Sequence, residues 1–151
     1  MKITRKSDYA VRCVLFLLSK PDGLANVIDI SRQMHIPKSF LAKILQQLLG
    51  AGIVESIRGI KGGFRSAKKP EDISLYDVIK AVGDPVVMNV CAVDKKMCAL
   101  SQTCSVHPVW VDLRDMVEKY LKKVNFACLV DQYRQRPEQY LGRRNHERLS
   151  V

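Results

Sequence analysis

The stretch "NVIDISRQMHIPKSFLAKILQQLLGAGIVESIRGIKGGFRSAK", residues 26 to 68, constrains the fold of this chain more than any other. A helical stretch around Val27 to Gln33 is followed by a turn at His35 and Ile36. A second helix then begins with Pro37 in its first turn, where a missing backbone N–H costs nothing. Its apolar face is Phe40, Leu41, Ile44, Leu45, Leu48 and Leu49, and Gly50 and Gly52 end it. Two helices joined by so short a turn form a helix-turn-helix. Alternating Ile53, Glu55 and Ile57 then predict a strand, "RGIKGG" a glycine-rich turn, and "FRSAK" the returning strand. An earlier helix runs from Ser7 on the apolar positions Ala10, Cys13, Val14, Leu17 and Leu18, and "SKPDG" stops it. The predicted fold is mainly α with a small β-hairpin wing: a winged helix-turn-helix.

The charge follows the same division. Residues 1 to 70 hold 13 Lys+Arg against 4 Asp+Glu, whereas residues 71 to 151 hold 12 against 11, so nearly all of the net +10 sits on the first part. Such concentration points to a polyanion partner for that part. Joined to a winged helix, it predicts double-stranded DNA. The second helix would lie in the major groove, with Lys38, Ser39 and Lys43 near its start, and Arg58 and Lys61 would stand at the wing tip, against backbone or minor groove. No Gly-rich nucleotide loop or catalytic dyad is present, which argues against an enzyme.

Beyond the wing, "SLYDVIKAVGDP" opens with a capping-box-like pair, Ser74 and Asp77, and predicts a short helix. "HPVWVDLRDMVEKYLKKV" carries an apolar stripe of Trp110, Leu113, Val117, Tyr120, Leu121 and Val124 on a long helix. A second copy of the chain is the economical partner for that stripe, since two-fold proteins read two half-sites. "NFACLVDQ" predicts one more short helix, and the polar remainder a flexible tail. The domain boundaries expected are 1–83 for the DNA-binding domain, 84–107 for a cysteine-rich loop, 108–132 for the dimerisation helix and short helix, and 133–151 for the tail.

Residues 91 to 107, "CAVDKKMCALSQTCSVH", gather three of the five cysteines and one of the three histidines. At 151 residues and 47% hydrophobic, the chain buries a core without needing disulfides. With no signal-like leader and no run long enough for a membrane span, a cytoplasmic location is expected, where clustered thiols bind metal or sense redox state. The pattern C-x6-C-x5-C-x2-H, from Cys91, Cys98, Cys104 and His107, suits an iron–sulfur cluster or zinc, and metal-free redox thiols also remain open. Cys13 and Cys128, in apolar helical contexts, are predicted core residues.

"MKITRKSDYAVR", "FLAKILQQLLGAGIVESIRGIKGGFR", "DISLYDVIKAV", the three cysteines and "HPVWVDL", in this order, resemble the Rrf-two family of bacterial winged-helix regulators, to about residue 132. The resemblance implies a homodimer on a palindromic operator with one [2Fe-2S] or [4Fe-4S] cluster per subunit, and the regulator expected is a repressor. It places Cys91, Cys98 and Cys104 on the cluster ligands, Ser39 on the DNA-reading helix and Arg58 on the wing. The fourth ligand is a histidine placed as His107 is in some members, and in others an aspartate placed as Asp8 is, donated by the other subunit. The signal expected is iron, cluster status, redox state or nitric oxide. The alternative is a zinc-stabilised or metal-free winged-helix regulator controlled by thiol oxidation or a partner protein.

Overall fold

The computed structural model of the chain describes residues 3–84 and 89–135. Three helices come first, α1 (Arg5–Ser19), α2 (Val27–Met34) and α3 (Lys38–Gly50), followed by an antiparallel hairpin of β1 (Val54–Ile57) and β2 (Gly63–Ser66). After a 3-10 turn at Pro70–Asp72 come α4 (Leu75–Ala81), α5 (Val90–Val93), a second 3-10 turn at Lys95–Met97, α6 (His107–Lys123) and α7 (Phe126–Gln135). This is the winged helix-turn-helix expected.

α1 is the central element. Thr4 caps it by accepting from the Ser7 amide at 3.2 Å, and Ala10, Cys13, Val14 and Leu17 are fully buried at helical spacing. Around it pack α2, α3, α4 and α7. α2 starts at Asn26, whose side chain accepts from the Asp29 amide at 2.9 Å. It ends at His35, which adopts a left-handed conformation (φ 53°, ψ 44°). That single residue turns the chain from α2 into α3. Ser31 holds the turn from both sides, accepting from the Ile36 amide at 3.0 Å and donating its hydroxyl to the Ile36 carbonyl at 2.7 Å.

α3 buries Leu41, Ile44, Leu45 and Leu48. Phe40, expected on this face, is 51% exposed. It stands one residue off the i, i+3, i+4, i+7 row, at the flank of the stripe, where its ring meets Tyr9 edge-on at 6.2 Å. The first strand also departs from the alternation expected: Ile53 and Val54 are both buried, whereas Ile57 is exposed. Only the base of the hairpin touches the core, so its distal half has nothing to alternate against.

The register pairs Val54 with Ser66 and Ile57 with Gly63, and Arg65 joins Glu55 across the strands at 2.5 Å. The hairpin is anchored to the body by a bridge between Ala25 and Phe64, with amide–carbonyl distances of 3.0 and 2.8 Å. Gly63 permits this approach, because a Cβ there would lie 2.5 Å from the Ala25 carbonyl oxygen.

α4 carries the full capping box predicted, with Ser74 and Asp77 exchanging hydrogen bonds. The Asp77 carboxyl is held below its ordinary pKa; partial burial opposes this, and the hydrogen bonds from Ser74 with nearby Lys68 and Lys80 outweigh it.

α7 returns to the DNA-binding head, packing on α1 and the 70–72 turn. The Leu75 amide donates to the Val124 carbonyl at 2.9 Å and the Phe126 amide to the Ile73 carbonyl at 3.0 Å. Phe126 and Val130 are buried, with Leu129 and Tyr133 packed beside them. α7 therefore runs to Gln135, past the boundary expected at 132; the flexibility expected for the remaining tail falls on residues 136–151, outside the described residues. Cys128, expected in the core, points away from the 126/129/130/133 row and is exposed. Truncating Phe126 to alanine is expected to cost about 3–5 kcal/mol, read as a lower midpoint in thermal unfolding; a loss under about 1 kcal/mol would detach α7 from the core.

Among the described residues, no helix is long and apolar enough to cross a membrane.

Candidate nucleic-acid interface and metal centre

α3 presents its polar side outward. Lys38, Ser39 and Lys43 are all exposed, as are Gln46 and Gln47, and the first turn carries no acidic residue. Pro37, at the N-cap, offers no side-chain cap to the first-turn amides. Positive charge and open N–H groups at a helix start are what a phosphate recognises. Arg58 and Lys61 are exposed at the other end of the wing. The five residues singled out for DNA thus lie on α3 and the wing, the two elements by which such a fold meets duplex DNA.

The cysteine segment joins α4 to α6, and it is more ordered than the loop expected. Cys91 lies within α5 and is 7% exposed; Cys98 follows the second 3-10 turn and Cys104 precedes α6, both half-buried. Successive turns carry the chain between them: the Ser101 amide donates to the Cys98 carbonyl at 3.1 Å, Cys104 to Leu100 at 2.8 Å, and His107 to Cys104 at 3.2 Å. A six-residue gap is long enough for a turn of helix and a 3-10 turn, and buried Ala92 anchors the first of them. α5 rests on α6, where the Arg114 guanidinium donates to the Ala92 carbonyl and pairs with Asp115 at 2.6 Å.

His107 is the first residue of α6 and is 6% exposed, and neither of its ring nitrogens has a hydrogen-bond partner. A buried imidazole without a partner is costly, and metal ligation is one chemistry that repays it. Three thiols within fourteen residues, followed by this imidazole, make a donor set whose chemistry fits an iron–sulfur cluster or zinc. Among the described residues, however, no three His, Cys, Asp or Glu side chains are grouped so as to hold a metal ion. The segment brings the candidate ligands into one stretch without assembling them.

The remaining candidate, Asp8, lies in the first turn of α1 and is bound to Arg12 by contacts of 2.6 and 3.2 Å. Cys13 stands apart: burial pushes its thiol up to about 12, so it stays protonated and inert at neutral pH.

Asp84, which the sequence did not single out, ties the chain just after α4 to the start of α1. Its carboxylate accepts from the Ser7 hydroxyl at 2.6 Å and from Thr4, and pairs with Lys6 at 3.3 Å. Burial alone would raise its pKa, but the hydrogen bonds from Ser7 and Thr4 and the Lys6 charge outweigh it and hold the carboxyl below its ordinary range. Next to it, the Gln47 side chain donates to the Val82 carbonyl at 3.4 Å. The end of α4 therefore holds both α1 and α3. A depressed carboxyl contributes stability that is present above its unfolded-state pKa and is lost as pH falls through the folded value. In urea unfolding from pH 7 down to pH 3, the wild type should lose part of its midpoint that Asp84→Asn lacks throughout; parallel profiles would contradict this.

The fold and its basic α3–wing surface define a winged helix-turn-helix DNA-binding protein. A family model described as iron-dependent transcriptional regulator, Rrf2, matches residues 3–132, and the chain belongs to that family. Among curated relatives, the transcriptional regulator IscR of Aliivibrio salmonicida is 34% identical over 86% of this chain and 77% of its own. The regulator NsrR of Bacillus subtilis is 32% identical over 87% of this chain and 89% of its own. These relatives are transcriptional regulators and not enzymes. The structure of CymR, the global cysteine regulator of B. subtilis, superposes with a TM-score of 0.72 at 23% identity, covering 87% of this chain and 98% of that one. That of T. potens IscR gives 0.69 at 21%, covering 87% and 88%. Both likenesses show the winged-helix fold.

Proposed function

We propose that this chain is a transcriptional repressor whose grip on a palindromic operator is set by an iron–sulfur cluster held on Cys91, Cys98 and Cys104. His107, or Asp8 of a second copy, would be the fourth ligand. The observation that carries this reading is the buried, unpartnered imidazole of His107 at the end of a segment bearing three thiols. The similarity to regulators named IscR and NsrR supports it. A cluster, when bound, supplies a centre that oxidation, nitric oxide or iron shortage can alter.

The chain's own residues supply the rest. Val109, Leu113, Met116 and Tyr120 recur at i, i+4, i+7 and i+11 on α6, and all are exposed. The opposite side of α6 packs on α4 and α5. A row with heptad spacing suits a second copy of the same helix. The stripe expected from sequence divides between these two sides: Leu113 and Tyr120 are exposed, while Trp110, Val117, Leu121 and Val124 are half-buried. Along the chain, segment 89–106 lies between the reading head and the pairing helix, and α5 within it packs on α6. Its state is positioned to alter how two heads are spaced on half-sites about 34–36 Å apart.

Iron and sulfide analysis of anaerobically purified protein tests the cofactor directly. The reading expects a brown protein with both elements present, and loss or a spectral shift on His107→Ala or on Asp8→Ala according to which supplies the fourth bond. A colourless protein containing zinc or no metal would replace it with thiol or partner control.

A further inference from the structure

The tip of the wing exposes an apolar side chain where solvation alone would favour a polar one. The Gly62 amide donates to the Gly59 carbonyl at 2.9 Å, closing a tight turn with Ile60 and Lys61 at its central positions. Gly59 sits at φ 118°, and a Cβ on Gly62 would collide with the carbonyl oxygens of Ile57 and Gly59. Glycines thus fix the shape of the turn and leave two side chains projecting from it. Ile60 is 107% exposed, more than any other large apolar residue described. A β-branched aliphatic chain gains nothing from such a place through folding of its own chain, and turn chemistry does not call for it.

Its neighbours indicate a partner. Arg58 and Lys61 flank it, both exposed, and the nearest acid along the strand, Glu55, is occupied by Arg65 at 2.5 Å. One apolar chain between two exposed cations that have no ion-pair partner among the described residues is too small for a protein-docking patch. It does match the way minor-groove binders work, in which cations meet the two phosphate walls and an aliphatic side chain lies against sugars and base edges between them. An aliphatic chain offers no acceptor to the guanine 2-amino group, so such a contact favours A·T pairs beneath it.

We propose that Ile60 is a specificity-determining contact of the wing with the minor groove of duplex DNA, seated between the phosphate-facing cations Arg58 and Lys61. This rests on the DNA-binding reading above. The test uses the full chain, prepared anaerobically, and a duplex it selects from a randomised pool, titrated by fluorescence anisotropy over a range of salt. Ile60→Ser should bind roughly tenfold more weakly with the salt slope unchanged, whereas Arg58→Ala should reduce that slope by about one. Ile60→Lys should also weaken binding to the selected duplex despite its added charge. Placing G·C beneath the wing should penalise the wild type and not Ile60→Ser, and inosine·C, which lacks the 2-amino group, should restore the wild type. If Ile60→Ser binds within about twofold of wild type, or Ile60→Lys binds more tightly, while Arg58→Ala still flattens the slope, the inference fails and the DNA-binding reading stands. If the wild type selects no duplex, both fail.

Discussion

Cys98→Ala, purified without oxygen, is expected to be colourless, to contain neither iron nor sulfide, and to bind operator no better than chelator-stripped wild type. Cys98 lies midway in the cysteine segment, half-buried between the second 3-10 turn and the turn at Ser101. Removing one of three thiolates leaves too few protein ligands to retain a cluster of the kind held by four. The fold should survive, because Cys98 lies outside the winged-helix core, and an unfolding free energy within about 1 kcal/mol of that of the metal-free wild type is the matching expectation. Cys13→Ser provides the contrast. It should keep the colour and lose stability instead, since it places a hydroxyl in a fully buried apolar position. A Cys98→Ala protein that remained brown would remove this residue from the ligand set.

The second large effect concerns α6. Met116→Glu combined with Tyr120→Lys should yield a monomer by sedimentation, and its operator affinity should drop by about 100-fold or more, since linking two reading heads raises avidity by that order. Both residues are well exposed on the 109/113/116/120 row, so neither change disturbs the head. Binding of a single half-site by the variant should be nearly unchanged, which separates lost pairing from lost reading. A double variant that sedimented as a dimer would move the interface elsewhere.

The reading head was legible because each of its local signals agrees with its packing. Ser74 and Asp77 box α4, the glycines of "RGIKGG" shape the wing, and Pro37 marks the start of α3, at its N-cap and not in the first turn expected. Errors arose where the partner surface, and not the period, decides burial. Phe40 looks apolar and periodic, yet it lies at the margin of the α3 stripe. Ile57 alternates correctly on a strand that has already left the core. α7 carried a readable row at 126, 129, 130 and 133, but which body it returns to depends on backbone pairing between 73–75 and 124–126, a contact of long sequence separation. The same row would have shown Cys128 to be on the outer side. In the candidate site, the sequence identified the thiols and His107, and the structure added the burial of the imidazole and the Asp84 tie to α1. No local pattern marks Asp84, because its partners, Thr4, Lys6 and Ser7, lie about eighty residues away.

The most direct measurement is operator affinity at one fixed salt concentration for the same anaerobic preparation before and after the cluster is removed by chelation, with Cys98→Ala alongside. The account predicts tight binding in the first state and weakened binding in the second, with the variant matching the second. Equal affinity in all three would contradict control of DNA binding from the cysteine segment.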